Sequence, residues 1–139
     1  LKKSLRIPSD YRYLKEVQNF VADILSSFKL DIEKSNFVSL GVCESVSNAI
    51  GHGNKFDENK FVTLFAELTT DALLFEVHDE GIGFDYCNLP DPTTPDNLLK
   101  EGGRGLFIIH NIVDEVTFRN NGSIIQLKFN IDRAHTVLS

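Results

Sequence analysis

The chain has 139 residues, of which 42% are hydrophobic, a length and composition that fit one domain with its own core and argue against disorder. Eleven Phe, with no Trp and no Met, leave that core to Phe, Leu, Ile and Val. The net charge of −6 argues against a nucleic-acid surface, which needs a basic footprint, but not against a nucleotide, which backbone N–H groups and Mg²⁺ can hold. No apolar run approaches the ~20 residues of a membrane span. The opening Leu1-Lys2-Lys3-Ser4-Leu5-Arg6 lacks the apolar stretch of a signal peptide. Cys43 falls in a helical pattern and Cys87 in a loop, without metal-like spacing, and both are read as reduced thiols. Together these features predict a cytoplasmic protein with neither membrane nor nucleic acid as partner.

Residues 3–7 alternate around Leu5 and Ile7 and predict a short strand. Pro8-Ser9-Asp10 is a break and a helix cap. Tyr11, Leu14, Val17, Val21, Ile24, Leu25 and Phe28 then recur at helical spacing, predicting an amphipathic helix over roughly residues 10–29. Asp31 can cap a second helix that runs to about Ile50, where Gly51 and Gly53 stop it. Residues 61–68 and 72–78 are β-rich and joined at Thr69-Thr70-Asp71, a predicted hairpin. Residues 85–101, with Pro90, Pro92 and Pro95, form a loop of the kind that often serves as a lid. Leu106 to Val113 is a short helix, and Asn121-Gly122 turns a second hairpin between Val116-Thr117-Phe118 and the run Ile125, Leu127, Phe129, Ile131. The order β-α-α-β-β-loop-α-β-β predicts an α+β fold, a mixed and mostly antiparallel sheet with helices on one face. One domain over residues 1–133 and a frayed tail over 134–139 account for the whole chain.

Three segments carry chemistry. Glu44 and Asn48 stand four apart on the second helix and so point the same way. They share a stripe with Phe37, Leu40 and Gly41, set well round from the apolar row Val38, Val42, Val46 and Ala49, and Gly41 is expected to leave space for a ligand. A carboxylate there can take a proton from an attacking hydroxyl, and an amide oxygen suits Mg²⁺. A solvated helix face would carry the same pair, and His52 would equally suit a helix C-terminus. The second segment, Asp79-Glu80-Gly81-Ile82-Gly83-Phe84, ends a strand. Its Asp can accept a hydrogen bond from an exocyclic amine such as that of adenine, while Gly81 and Gly83 allow close backbone approach or positive φ. An ordinary Asp-Glu-Gly turn is the plainer alternative. In the third, Gly102-Gly103-Arg104-Gly105 precedes Leu106, where free N–H groups at a helix start attract phosphate. Lys100 and Arg104 can add charge, and a flexible hinge is the alternative. The Lys-Ser/Thr ending of a Walker A loop is absent, as is a Rossmann fingerprint.

Taken together, Glu44-x-x-x-Asn48-Ala49-x-x-His52-Gly53, Asp79-x-Gly81-x-Gly83-Phe84 and Gly103-x-Gly105-Leu106 resemble the N, G1 and G2 boxes of the GHKL ATPase superfamily. Within it the chain is most similar to the stand-alone bacterial anti-sigma-factor serine/threonine kinases, over nearly its whole length. The resemblance implies the two-layer α/β sandwich called the Bergerat fold, with ATP and Mg²⁺ as cofactors. It implies Glu44 as general base and Asn48 as Mg²⁺ ligand. It makes Asp79 the adenine-reading acid, with Gly81 and Gly83 beside the ring. His52, Lys100, Gly102, Gly103, Arg104, Gly105 and Leu106 would complete the ATP site, under a lid over 85–101. Some related kinases carry a basic residue just before the second Gly box; here the stretch is Lys100-Glu101-Gly102, leaving Lys100 or Arg104 to meet the terminal phosphate.

The implied function is phosphorylation of an anti-sigma-factor antagonist, coupled to binding of a sigma factor or similar regulator; kinases of this type are often homodimers. The ATP-binding half of a histidine kinase is the alternative. That reading needs a dimerisation helix pair with a phosphoacceptor His ahead of the domain, and residues 1–9 leave no room for one. A binding module that uses ATP only as a switch is the third reading, against which the presence of both Glu44 and Asn48 weighs.

Overall fold

Alternation in five short segments decides the architecture. In the computed structural model, which describes residues 2–28, 30–81 and 108–131, these segments form one sheet. The strands are β1 (Lys2–Pro8), β2 (Phe61–Leu68), β3 (Ala72–His78), β4 (Glu115–Arg119) and β5 (Ile124–Asn130), in the order β1-β2-β3-β5-β4. Every pairing among them is antiparallel. The register sets apolar residues in continuous rows. Leu5, Leu64, Val77, Ile125 and Phe118 form one, and Ala66, Phe75, Leu127 and Val116 the next. These rows belong to the face that is buried. The opposite face carries Phe65, Glu76, His78 and Gln126, which are exposed or half-buried.

Two helices cover the apolar face. Helix α1 (Leu14–Leu25) presents Val17, Val21 and Ile24, and α2 (Ile32–Asn48) presents Val38, Val42 and Val46, all of them buried. Phe75 and Phe129, fully buried beneath them, meet edge to face with ring centroids 6.2 Å apart. Each such side chain contributes about 1.5–3 kcal/mol by leaving water. The arrangement is the α+β architecture with helices on one face that the order of elements predicts.

Helix bounds differ in detail from the sequence reading. Asp10 does cap, accepting from the Arg12 amide at 2.9 Å, but it caps a single 3-10 turn, Tyr11–Tyr13, and α1 ends at Leu25 rather than near 29. Asp31 caps α2 as expected, accepting from the Lys34 amide at 2.8 Å. Lys34 Nζ reaches Asp114 Oδ2 at 3.0 Å, and the same oxygen accepts from the Asn130 amide at 2.7 Å, so the start of α2 is tied to the second hairpin. That hairpin turns at Asn120–Gly122, where Asn120, Asn121 and Gly122 all take positive φ, 52°, 58° and 91°. Residues 108–112 are helical, within the span predicted for a short helix. The loop 85–101, Cys87 and the tail 134–139 lie outside the described residues.

Candidate functional site

The site begins on α2. One expectation fails here: Gly41 does not make room for a ligand. A Cβ at Gly41 would lie 3.1 Å from Phe129 Cζ and 3.4 and 3.5 Å from Val113 and Ile112, so its missing side chain admits the sheet and the residues after 108. The helix passes close over β5, and a larger residue at Gly41 would crowd the Phe129 ring. Further along, Ser45 Oγ donates to the Gly41 carbonyl at 2.9 Å, Glu44 is half-buried and Asn48 is buried. Burial of Glu44 raises its carboxyl above its ordinary pKa. Asn48 Nδ2 has no hydrogen-bond partner among the described residues. A buried amide without a partner is costly, and a bound polar ligand would relieve it.

Gly51 and Gly53 do not stop the helix as left-handed caps. Neither has positive φ; the helix instead widens into a π turn over Ala49–Gly53, closed by Asn54 N donating to Ala49 O at 2.8 Å and Phe56 N to Ile50 O at 2.9 Å. The left-handed residues come after it, Lys55 at φ 53° and Phe56 at φ 59°. The wide turn carries the Gly53 backbone against the end of β3. There Asp79 N donates to Ser123 O at 2.9 Å, and Asp79 Oδ1 accepts from the Gly81 amide at 2.8 Å, an Asx turn that aims the carboxylate. A Cβ on Gly53 would lie 2.2 Å from Asp79 Oδ2, and one on Gly81 would lie 2.1 Å from the Gly53 carbonyl oxygen. The glycines of the first and second boxes are thus needed against each other. For Gly81 the close approach is to Gly53.

Asp79 and Asn48 share one narrow cleft with Ser45, Ala49, Val77, Phe118, Gly122 and Ile125. Ala49, Val77, Phe118 and Ile125 supply its apolar walls, and the carboxylate and the amide supply its polar points. Burial raises the Asp79 carboxyl above its ordinary pKa, against the lowering pull of the Gly81 amide, His78 and Lys60. The strand-end carboxylate of Asp79 fits a purine amine, the orphaned Asn48 Nδ2 is an N–H donor that fits an acceptor oxygen of a ligand, and the Asn48 amide oxygen is the atom that would face a hard cation. No cluster of three or more His, Cys, Asp or Glu among the described residues could hold a metal, so a cation here would draw most of its ligands from phosphate and water. His52 is exposed. His110 has its ring 6.3 Å from that of Phe118 on the cleft wall. Gly83, Lys100, Gly102, Gly103, Arg104, Gly105 and Leu106 lie outside the described residues.

The sequence reading missed Ser45, Phe118, Gly122 and Ile125 as cleft residues. Phe118 and Ile125 announce themselves only as strand alternation, and Gly122 only as a turn. Gly53→Ala gives a sharp test of the contact between boxes. A Gly→Ala change at a compatible helical position stabilises by about 0.4–1 kcal/mol. Here the new methyl group must displace the Asp79 carboxylate. The expected result is a folded protein with ATP affinity reduced about 10-fold or more, read by calorimetry beside thermal unfolding. Unchanged affinity would mean that the carboxylate moves aside without consequence.

Residues 7–129 match the family model described as the histidine kinase-like ATPase domain. The serine-protein kinase RsbW of Staphylococcus aureus strain JH9 is 27% identical over 131 residues, covering 88% of this chain and 82% of its own. The protein of the same name from strain Newman is similar to the same extent. Among solved structures, the RsbU and RsbW domains of Rv1364c from Mycobacterium tuberculosis superpose with a TM-score of 0.64 at 14% identity, a likeness of fold. That match covers 94% of this chain and 32% of the solved one, so this chain spans about a third of that solved chain.

Proposed function

The chain belongs to the histidine kinase-like ATPase domain family, and from that premise we propose that it is an ATP-binding serine/threonine protein kinase of the anti-sigma-factor type. It would phosphorylate a small anti-sigma-factor antagonist and hold a sigma factor or similar regulator by binding, in the cytoplasm, with one ATPase domain over residues 1–133. What supports this reading above all is the cleft shared by Asp79 and Asn48, with Glu44 one helical turn before Asn48 on the same helix. Curated relatives named serine-protein kinase point the same way.

Bound ATP would supply the transferable phosphoryl group, its charge offset by Mg²⁺. The chain's own part is positioning and proton handling. Asp79 accepts a hydrogen bond from the adenine amine, and Val77, Ala49, Ile125 and Phe118 exclude water from the ring. Asn48 would hold the cation through its amide oxygen. Glu44, half-buried and with a raised pKa, takes the proton of the acceptor Ser or Thr hydroxyl. Lys100, Gly102, Gly103, Arg104, Gly105 and Leu106 would meet the phosphates, and the lid 85–101 would adjoin the antagonist. A new phosphate adds about −1.5 to −2 charge to that partner. Facing a chain of net charge −6, it should promote release.

The deciding experiment incubates the protein with Mg·ATP and candidate antagonists and reads intact masses. One phosphate gained on a partner Ser or Thr is the expected result. Failure to phosphorylate or bind any antagonist or sigma factor would favour the histidine-kinase alternative. Asn48→Ala is expected to weaken ATP binding roughly 10-fold or more when Mg²⁺ is present and much less when it is absent. Equal losses in both conditions would take Asn48 out of the cation's shell.

A further inference from the structure

Asn54 is 1% exposed and lies outside the cleft, yet its side chain bonds in three directions. Nδ2 donates to Ser9 Oγ at 2.8 Å and to the Phe61 carbonyl at 3.0 Å, and Oδ1 accepts from the Glu80 amide at 2.7 Å. Both amide protons and the oxygen are engaged, and the Phe61 carbonyl and Glu80 amide fix which end is which, because a flipped amide would face donor with donor and acceptor with acceptor. Ser9, fully buried, donates its own hydroxyl hydrogen bond to the Lys60 carbonyl at 2.6 Å. The network therefore joins the end of β1, the start of β2, the π turn after α2 and the segment after β3.

Its contact with Glu80 is the telling one. The Glu80 amide belongs to the peptide that follows Asp79, and the next amide, that of Gly81, holds Asp79 Oδ1. Fixing the first amide orients the second, and the second orients the carboxylate. Although Glu80 is an exposed residue, its amide is held by the oxygen of a buried side chain. Asn54 also closes the π turn through its own backbone, bonding to Ala49 O at 2.8 Å, so it sets the distance between Gly53 and Asp79 from the other side as well.

We propose that Asn54 is a positioning residue for nucleotide recognition: by holding the Asp79–Glu80–Gly81 turn against the wide end of α2, it aims the Asp79 carboxylate and thereby sets the preference for adenine. This rests on the reading of Asp79 as the acid that accepts from the adenine amine. The test compares ATP with ITP, whose ring carries an oxygen in place of that amine, by calorimetry on the full chain and on variants shown to be folded by thermal unfolding. The wild type should prefer ATP by about 10-fold or more. Asn54→Ala should lose most of that preference, with Asn54→Ser, too short to reach Glu80, as the substitute should Asn54→Ala fail to fold. Ser9→Ala, which breaks the far arm of the same network, should keep it. A folded Asn54 variant with the wild-type ratio would overturn the proposal alone, as would an equal collapse in Ser9→Ala, which would mark a general loosening. A wild type without preference would overturn the reading of Asp79, and the proposal with it.

Discussion

Glu44→Gln is expected to slow phosphoryl transfer to the antagonist by ~10²–10⁴-fold and to leave ATP affinity near that of the wild type. Glutamine keeps the volume and the hydrogen-bonding reach of Glu44 but cannot accept the acceptor hydroxyl's proton. Burial lifts the Glu44 carboxyl above its ordinary value of 4.5, so the wild-type rate should fall as pH drops through that raised pKa, because the protonated acid is no base. In Glu44→Gln this acid limb should vanish along with most of the rate. Single-turnover kinetics across pH reads both effects. Equal rates for the two proteins would remove Glu44 from proton transfer. A collapse of ATP affinity would make it a group that shapes the site.

Asp79→Asn is expected to weaken ATP binding by roughly 10- to 150-fold, the loss of one hydrogen bond to a charged group. Its effect on the free protein should have the opposite sign. The Asp79 carboxyl holds its proton to higher pH in the folded chain than in the unfolded one, chiefly because it is buried. Its ionisation therefore costs stability, and the cost appears as pH rises above the unfolded value, near 3.8, toward the raised one. Asparagine carries no such charge and can still accept from the Gly81 amide. At neutral pH the variant should unfold at the same temperature as the wild type or above it, while below the unfolded pKa the two should converge. Calorimetric titration and thermal unfolding at two pH values test the pair of effects. Unchanged ATP affinity would take Asp79 out of the site.

Local rules fixed much of this protein before any packing was considered. Helical spacing of Val17, Val21 and Ile24 predicts α1, Asp31 caps α2, and Asn121-Gly122 turns the second hairpin, each through interactions spanning a few residues. The order of Glu44, Asn48, Asp79 and the glycines carries the family likeness in the same way, because box spacing is a property of the chain. Other features depended on which segments meet. Gly41 reads in sequence as an opening for a ligand, but β5 brings Phe129 beneath it. Gly53 reads as a helix stop, but the π turn presses it against Asp79. Phe118, Gly122 and Ile125 became cleft walls only once the second hairpin paired with β3, with Val77 opposite Ile125 and Ile125 opposite Phe118. Strand register between distant segments is set by burial of a whole face rather than by any local signal, so the scaffold and its candidate chemical groups are legible residue by residue, whereas the walls around them and the contact of the Asn54 side chain with the Glu80 amide exist only after the sheet has formed.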